Sequence, residues 1–196
     1  MSKIETNKID SISGTSTLKI GETNATTLDF DTGLTSITNI PWQLTNTPAF
    51  YVYRTSTQSI TDSSHTKVEF QTKDLDTDSA FDITTNHRFT VPTGKGGRYY
   101  LTAQLTAFSN DNDLRDVRVQ IYKNGSRIAS TYFNIRTTDN NHRHQAAVIT
   151  TIDEASAGDY YEMYTWVDVG SGSLSLNMDN LTPRSIYFSG YRLIGV

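Results

Sequence analysis

The fold is decided by residues 97–108, which read GRYYLTAQLTAF. Apolar residues occupy every second position, namely Tyr99, Leu101, Ala103, Leu105 and Ala107, and most of the residues between them are polar. A period of two is typical of a β-strand that turns one face toward a core and the other toward solvent or a neighbour. The pattern therefore predicts one long strand over this whole stretch.

A hairpin follows this strand. Val117, Val119 and Ile121 alternate with polar residues, and Asn124-Gly125 comes directly after them, before a second run that includes Ile128. Asn-Gly is the strongest short hairpin signal, because both residues adopt positive φ at low cost. We therefore predict two antiparallel strands that are joined at Asn124-Gly125.

The rest of the chain repeats this pattern of short strands and turns. Thr, Ser, Tyr and Val are abundant, which favours strands, and no convincing amphipathic helix is present. Further strands are predicted at residues 50–54, 67–71, 88–91, 143–152, 159–168, 174–176 and 186–194. Roughly nine short strands separated by turns predict an all-β sandwich or jelly roll.

Composition excludes several classes of function. The chain has 196 residues, enough for one domain or one domain with an arm. The net charge is −4 and no basic block is present, which argues against nucleic-acid binding. The absence of cysteine excludes disulfides, thiolate catalysis and cysteine-based zinc sites. We expect no membrane insertion and no signal peptide, because no long apolar run is present.

Residues 1–45 differ from the rest of the chain. They are rich in Thr, Ser and Asn, and their apolar residues are too widely spaced to offset the entropy of ordering in isolation. One interpretation is a flexible leader; the other, which we favour, is an extended β-rich arm that orders against another chain. The apolar residues expected to make that contact include Ile4, Ile9, Ile12, Leu18, Ile20 and Leu28.

The residues from Pro48 onward resemble the complement 1q-like globular domain. The resemblance rests on an asparagine-glycine hairpin, on Gly158-Asp159 before a strand, on the closing residues 188–193, and on the collinear series Phe70, Asp76, Phe81, Phe89, Gly97, Tyr99 and Leu101. The spacings from Phe81 to Phe89 and from Phe89 to Gly97 are a residue or two longer than the family pattern. The resemblance implies a ten-strand jelly roll related to the tumour necrosis factor fold, and a tight homotrimer.

Tyrosines are consistent with that implied assembly. The pairs Tyr99/Tyr100, Tyr160/Tyr161 and Tyr51/Tyr53 are expected to put large aromatic rings on both faces of strands, and a sandwich buries only one. Tyrosine suits an interface, although ordinary surface tyrosine is the alternative. The residues expected in the core or the trimer interface are Tyr51, Tyr53, Phe70, Phe81, Phe89, Tyr99, Tyr100, Tyr160, Tyr161, Phe188 and Tyr191.

The arm has a resemblance of its own. Residues 8–21 read KIDSISGTSTLKIG, which is similar to the opening of many bacteriophage tail and fibre proteins. The collagen-like triplets of the animal complement proteins are not present. Together the two resemblances imply a virion protein that is assembled in the host cytoplasm, with residues 1–45 as the attachment arm and residues 46–196 as the jelly-roll domain.

The expected partners are two further copies of the chain, other virion proteins and a host-surface glycan. A tail fibre or receptor-binding protein is the role we favour. A capsid decoration or head-fibre protein, and a glycan-binding lectin-like module, remain as alternatives.

No catalytic constellation is recognisable, so we expect no enzyme and no cofactor. The chain has no Gly-x-Ser-x-Gly motif, and Gly94-Lys95-Gly96-Gly97 lacks the spacing of a phosphate-binding loop. Carboxylate pairs for sugar hydrolysis cannot be recognised from sequence, because their separation is not encoded in it.

Two groups of residues have the chemistry of metal ligands. Asp74, Asp76 and Asp78 resemble the start of a calcium loop but lack its central Gly and closing Glu, so a solvated loop is the interpretation we favour. His142 and His144 would lie on one side of a strand and could form a metal site on a three-fold axis; exposed or interface histidines are the favoured interpretation. We therefore predict no metal site.

Two loops rich in Asn and Asp, residues 109–113 and 137–141, carry short polar groups that could bind sugar hydroxyls. Turns use the same residues for backbone reasons, and that is the interpretation we favour for both loops.

Overall fold

A computed structural model describes residues 46–135, 142–176 and 184–194, and the predicted arm and the loop at 137–141 lie outside these ranges. Thirteen strands are found there and no helix: β1 Ala49–Tyr53, β2 Gln58–Ile60, β3 Thr66–Lys67, β4 Thr72–Asp76, β5 Phe81–Asp82, β6 Arg88–Thr90, β7 Gly97–Ser109, β8 Leu114–Lys123, β9 Ser126–Asn134, β10 His144–Ala155, β11 Tyr160–Val169, β12 Leu174–Leu176 and β13 Tyr187–Arg192. Within these ranges no helix is long and apolar enough to cross a membrane.

The strands form two antiparallel sheets. The front sheet has the order β2-β12-β7-β13-β1-β4, with β10 paired along β7. The back sheet has the order β5-β6-β11-β8-β9, with β3 paired to β11. Side chains from the inner faces of both sheets pack into one core. This is an all-β jelly-roll sandwich, which confirms the predicted fold class.

Strand β7 confirms the alternation read from residues 97–108. Tyr99, Leu101, Ala103, Leu105 and Ala107 are fully buried, whereas the positions between them are half-buried or exposed. The strand pairs with β10 along one edge, and with β13 and then β12 along the other. It is therefore the central strand of the front sheet.

The hairpin at Asn124-Gly125 is also confirmed. It joins β8 to β9, and both turn residues have positive φ, 51° and 78°. These angles are those of the mirror-image turn that matches the twist of two paired strands. The Asn124 side chain then reaches β11, where Nδ2 donates to Asp159 Oδ1 at 2.8 Å and Oδ1 accepts from the Tyr160 N–H at 2.9 Å.

The prediction of a strand over residues 67–71 is wrong beyond its first residue. Val68 N–H bonds to Met163 O in the back sheet, whereas Gln71 N–H bonds to Tyr53 O in the front sheet. The chain crosses between the sheets here, so Val68 and Phe70 are buried without forming a strand. The alternating pattern at Val68 and Phe70 therefore reflects burial and not strand pairing.

Residues 74–78 are not the solvated loop that we favoured. Asp74 and Asp76 belong to β4, which pairs with β1, and only the residues after Asp76 form a turn. This strand has no alternating apolar pattern, because Thr72–Asp76 carries one apolar residue, Leu75. Backbone pairing with β1 places it in the sheet.

Gly190 fixes how closely β13 approaches the core. A Cβ at this position would lie 2.6 Å from Leu101 Cδ2 and 2.8 Å from Phe50 Cε1. Phe50 is packed against three other rings, with centroid distances of 4.6 Å to Phe89, 5.0 Å to Phe188 and 5.3 Å to Phe81. Neither neighbour can move without disturbing that aromatic cluster.

We predict that Gly190→Ala destabilises the domain by about 1–3 kcal/mol, the usual cost of overpacking a core. Urea unfolding of the variant and the parent protein measures the difference. Ala146→Val adds bulk at an exposed position of the same sheet and serves as the control, with an expected change within about 0.5 kcal/mol. Equal stability of Gly190→Ala and the parent would contradict the packing described here.

Candidate functional site

The aromatic residues singled out from the sequence lie in three places. Six form part of the core of a single chain, namely Phe70, Phe81, Phe89, Tyr99, Tyr161 and Phe188. Four are half-buried on the outer face of the front sheet, namely Tyr51, Tyr53, Tyr100 and Tyr191. Tyr160 lies on the outer side of the back sheet, with the Arg88 guanidinium 4.1 Å from its ring centroid.

The expectation that each tyrosine pair occupies both faces is right for two pairs and wrong for one. Tyr99 and Tyr161 point inward, and their neighbours Tyr100 and Tyr160 point outward. Tyr51 and Tyr53 both point outward, because residues two apart in a strand share a face. The inner positions of β1 belong to Phe50 and Val52.

The outer face of the front sheet is lined by tyrosine and aliphatic side chains. Strand register arranges them in three rows, which run Ile152-Tyr100-Tyr191-Ala49, Thr150-Thr102-Ser189-Tyr51-Leu75 and Val148-Gln104-Tyr187-Tyr53-Thr72. We call these rows the front face. Tyr51 stacks on Tyr187 at 5.4 Å and Tyr100 stacks on Tyr191 at 5.2 Å between centroids. None of these positions is charged.

Four polar side chains of the front face bond within the chain. Gln104 Nε2 donates to Ser185 O at 3.2 Å, Ser189 Oγ donates to Phe50 O at 3.0 Å, and the Thr150 and Thr102 hydroxyls are 3.3 Å apart. What the face offers outward is therefore mainly ring and aliphatic surface. Ile152 and Val148 are 59% and 50% exposed, and Leu75 is 45% exposed.

Charges occur at the border of the front face. Arg184 lies beside it, with its guanidinium 5.3 Å from the Tyr53 ring centroid and 5.8 Å from that of Tyr51. Asp74 is its carboxylate partner. An uncharged centre with a charged rim is the arrangement typical of protein interfaces.

A second apolar surface lies at one side of the sandwich, where β9 and β10 are the last strands of their sheets. Phe133 on β9 is 46% exposed, and Ala147 and Ile149 on β10 lie at the border of the core. Unpaired strand edges with apolar side chains are usually covered in natural proteins. We call this surface the open edge. It adjoins the front face along β10.

Buried tyrosines at the end of the sandwich belong to a polar network. The Tyr161 hydroxyl donates to Asp153 Oδ2 at 2.6 Å, and Lys123 Nζ lies 3.0 Å from the same oxygen. Burial raises the pKa of the Tyr161 hydroxyl, and the bond to Asp153 raises it further. Burial likewise raises the pKa of Tyr99 to about 12; its hydroxyl donates to Lys95 O at 2.6 Å.

Four of the five metal candidates from the sequence have protein partners, and His142 is exposed. Asp76 accepts from the N–H groups of Ala80 and Phe81, and Asp78 lies 3.8 Å from Lys95 Nζ. His142 is exposed, and His144 packs its ring 5.0 Å from Phe108. Within the described ranges, no group of three or more His, Cys, Asp or Glu side chains is arranged to hold a metal ion.

Several residues of the front face were not predicted from the sequence, among them Tyr187, Val148 and Ile152. Tyr187 has the same parity as Tyr191 in its strand, and Val148 and Ile152 have a parity opposite to the buried Ile149. The odd or even position of each residue along its strand could have shown that these residues share a face. Which parity faces outward, however, depends on how the two sheets stack.

Comparisons with known proteins show the fold. No protein-family model matches the chain, and no curated protein matches it. Among solved structures it is similar to an Eiger TNF from S. frugiperda, with 9% identity, a TM-score of 0.55, and coverage of 76% of this chain and 93% of that one. It is also similar to the globular domain of zebrafish complement 1qA protein, with 18% identity, a TM-score of 0.48, and coverage of 74% and 97%. The likeness to the Eiger structure supports a jelly-roll fold for the sandwich.

Buried tyrosines predict a loss of stability in alkali. A hydroxyl whose pKa is raised in the folded state contributes stability below its unfolded pKa of about 10, and this stability is lost as pH rises. We expect the free energy of unfolding, measured with urea between pH 9 and pH 12, to fall less steeply for Tyr99→Phe/Tyr161→Phe than for the parent. Tyr132→Phe, at an exposed position, is the control. Identical slopes for all three proteins would contradict the burial of the two hydroxyls.

Proposed function

We propose that this chain is a non-enzymatic, homotrimeric structural protein of a virion, in which residues 46–196 form the head and residues 1–45 the attachment arm. The observation that carries the proposal is the front face, an uncharged surface of tyrosine and aliphatic side chains on a domain whose core is already complete. Large apolar patches of this kind mark interaction sites.

A second copy of the chain is the occupant that the two apolar surfaces favour. The front face and the open edge are different surfaces, so contact between the edge of one copy and the face of the next is heterologous. Heterologous contacts close into a ring when the rotation between copies permits it. Three copies agree with the trimer that the family resemblance implies.

Such a ring would be stabilised mainly by apolar burial. Each Å² of apolar surface removed from water contributes about 25 cal/mol, and a stable contact covers about 800 Å² on each partner. Tyrosine adds a hydroxyl that can remain hydrated at the rim or bond across the contact. The mechanism of the protein is therefore assembly, without a chemical step.

The virion role rests on the sequence of the arm. Residues 8–21 resemble the openings of bacteriophage tail and fibre proteins, and a trimeric head with an extended arm suits an attached fibre. A tail fibre or receptor-binding protein is the role we propose first. A head fibre on the capsid is the alternative and uses the same arm and the same trimer.

The first prediction is the oligomeric state. Sedimentation or light scattering at micromolar concentration is expected to give three times the chain mass of 21.9 kDa. Ile152→Glu places a charge on the front face at a position that is 59% exposed, so it should yield a folded monomer. Thr85→Glu, at an exposed position between β5 and β6, at the opposite edge of the back sheet from β9, should remain a trimer. A monomeric parent protein, or dissociation by both variants alike, would reject the proposed interface.

The second prediction concerns the arm. A chain without residues 1–45 is expected to form the same trimer but to be absent from purified particles, because the arm and not the head makes the attachment. Gold-labelled antibody against the head, viewed on particles by electron microscopy, checks incorporation and separates tail from capsid. Incorporation of the truncated chain at the level of the full chain would refute the role of the arm.

A further inference from the structure

The outer face of the back sheet carries a row of three side chains from neighbouring strands. Trp166 on β11 is paired with Arg118 on β8, and Arg118 is paired with Tyr132 on β9. The Arg118 guanidinium carbon lies 4.1 Å from the Trp166 ring centroid and 5.9 Å from that of Tyr132. We call these three side chains the aromatic row.

Asp116 holds the aromatic row in place. Arg118 Nε donates to Asp116 Oδ1 at 3.1 Å and Arg118 Nη2 donates to Oδ2 at 2.8 Å, so the guanidinium is fixed by a two-point contact. Asp116 itself is buried. The Arg118 guanidinium is therefore preorganised, and a ligand would not have to order it.

The next row of the sheet contains an unsatisfied polar group. Gln120 lies between Tyr164 and Ser130 and is fully buried, and its Oε1 is 2.9 Å from His65 Nδ1. Its Nε2 has no hydrogen-bond partner within the described residues. A buried amide N–H without a partner is uncommon in native proteins, and it is usually satisfied by a water molecule or a ligand.

Charge selects the class of ligand. The two cations of this region, Arg118 and Lys67, are each paired with a carboxylate, Asp116 and Glu162. Asp168 lies beside Asp116 in the pairing of β8 with β11, and it adds a further negative charge. The region thus favours a neutral ligand over an anionic one.

Tyr132 supplies the contact surface. Its side chain is 67% exposed, the largest exposure among the large apolar and aromatic residues of the described ranges. The surface of Tyr132 and of its row is far smaller than the roughly 800 Å² that each partner of a stable protein complex buries. They match a small ligand that has an apolar face and many hydroxyl groups.

We propose that the aromatic row binds a neutral oligosaccharide. One sugar ring stacks its C–H face on Tyr132, and its hydroxyls bond to the guanidinium of Arg118 and to Ser130 Oγ. Gln120 Nε2 is fully buried in the free protein, so it donates to the sugar only where side chains of the site move aside. This site is distinct from the two Asn- and Asp-rich loops considered from the sequence. It deepens the proposed function and rests on it, because a receptor-binding head needs a contact with a host-surface ligand.

Trimer formation would strengthen a weak glycan contact. The aromatic row faces outward from the back sheet, whereas Phe133 of the open edge has the opposite parity in β9 and pairs with the buried Val117. Assembly through the front face and the open edge therefore leaves the outer side of the aromatic row open. Three linked copies that bind one multivalent surface gain affinity without any new contact, provided that their spacing matches it.

The test begins with the full-length chain on an array of neutral and acidic glycans. At least one neutral glycan is expected to bind, and more strongly than its sialylated counterpart. Binding is then measured in solution with the Trp42→Phe chain, in which Trp166 is the remaining tryptophan of two. A saturable change in Trp166 fluorescence is expected on titration with that glycan. No neutral binder, or binding confined to acidic glycans, would overturn the inference.

Two substitutions on one strand locate the site. Tyr132→Ala is expected to weaken binding by about tenfold or more, the equivalent of about 1.4 kcal/mol, whereas Arg127→Ala, another exposed position of β9, leaves it unchanged. Equal affinity of Tyr132→Ala and the parent would overturn the inference. The mass of each sample is measured in parallel. A trimer that binds no neutral glycan rejects this site alone, and a monomer that binds one rejects the trimer alone.

Discussion

Alternate residues of a strand point to opposite faces, and a two-sheet sandwich buries only one face of each sheet. Every other feature of this domain depends on that constraint. In β7 it sends five side chains from Tyr99 to Ala107 into the core and leaves Tyr100 outside. The core is completed by phenylalanine rings around Phe50, and Gly190 leaves the space that Phe50 and Leu101 occupy.

Each sheet therefore has one outer face that the sandwich does not bury, and the two outer faces differ in composition. The front face pairs tyrosines with one another and keeps charges at its border, so its centre is apolar. The back sheet instead interleaves aromatic rings with ion pairs such as Arg118–Asp116, so its polar groups are held in fixed positions within a rigid sheet. The first arrangement favours a broad contact with another copy of the chain, and the second favours a small ligand that forms directed hydrogen bonds.

Local pattern was enough to predict the strands that alternate over many residues. The strand at 97–108, the hairpin at Asn124-Gly125 and the all-β class all follow from parity and turn chemistry. Shorter elements did not follow from it. Strand β4 has one apolar residue and is placed by its pairing with β1, while Val68 and Phe70 alternate because they cross the core between sheets. Alternating burial produces the same sequence pattern in a strand and in a segment that crosses the core. Only backbone hydrogen bonding distinguishes the two.

For the candidate sites, the sequence determined which residue types are present: many tyrosines, no cysteine and few charges. It could not determine that Tyr51, Tyr100, Tyr187 and Tyr191 share a surface, because β1, β7 and β13 are far apart in the chain and meet only through sheet pairing. The row of Trp166, Arg118 and Tyr132 likewise depends on the register of three strands. The parity of each strand is a local property, but the choice of inner and outer face is made when two sheets stack, and tertiary structure alone decides it.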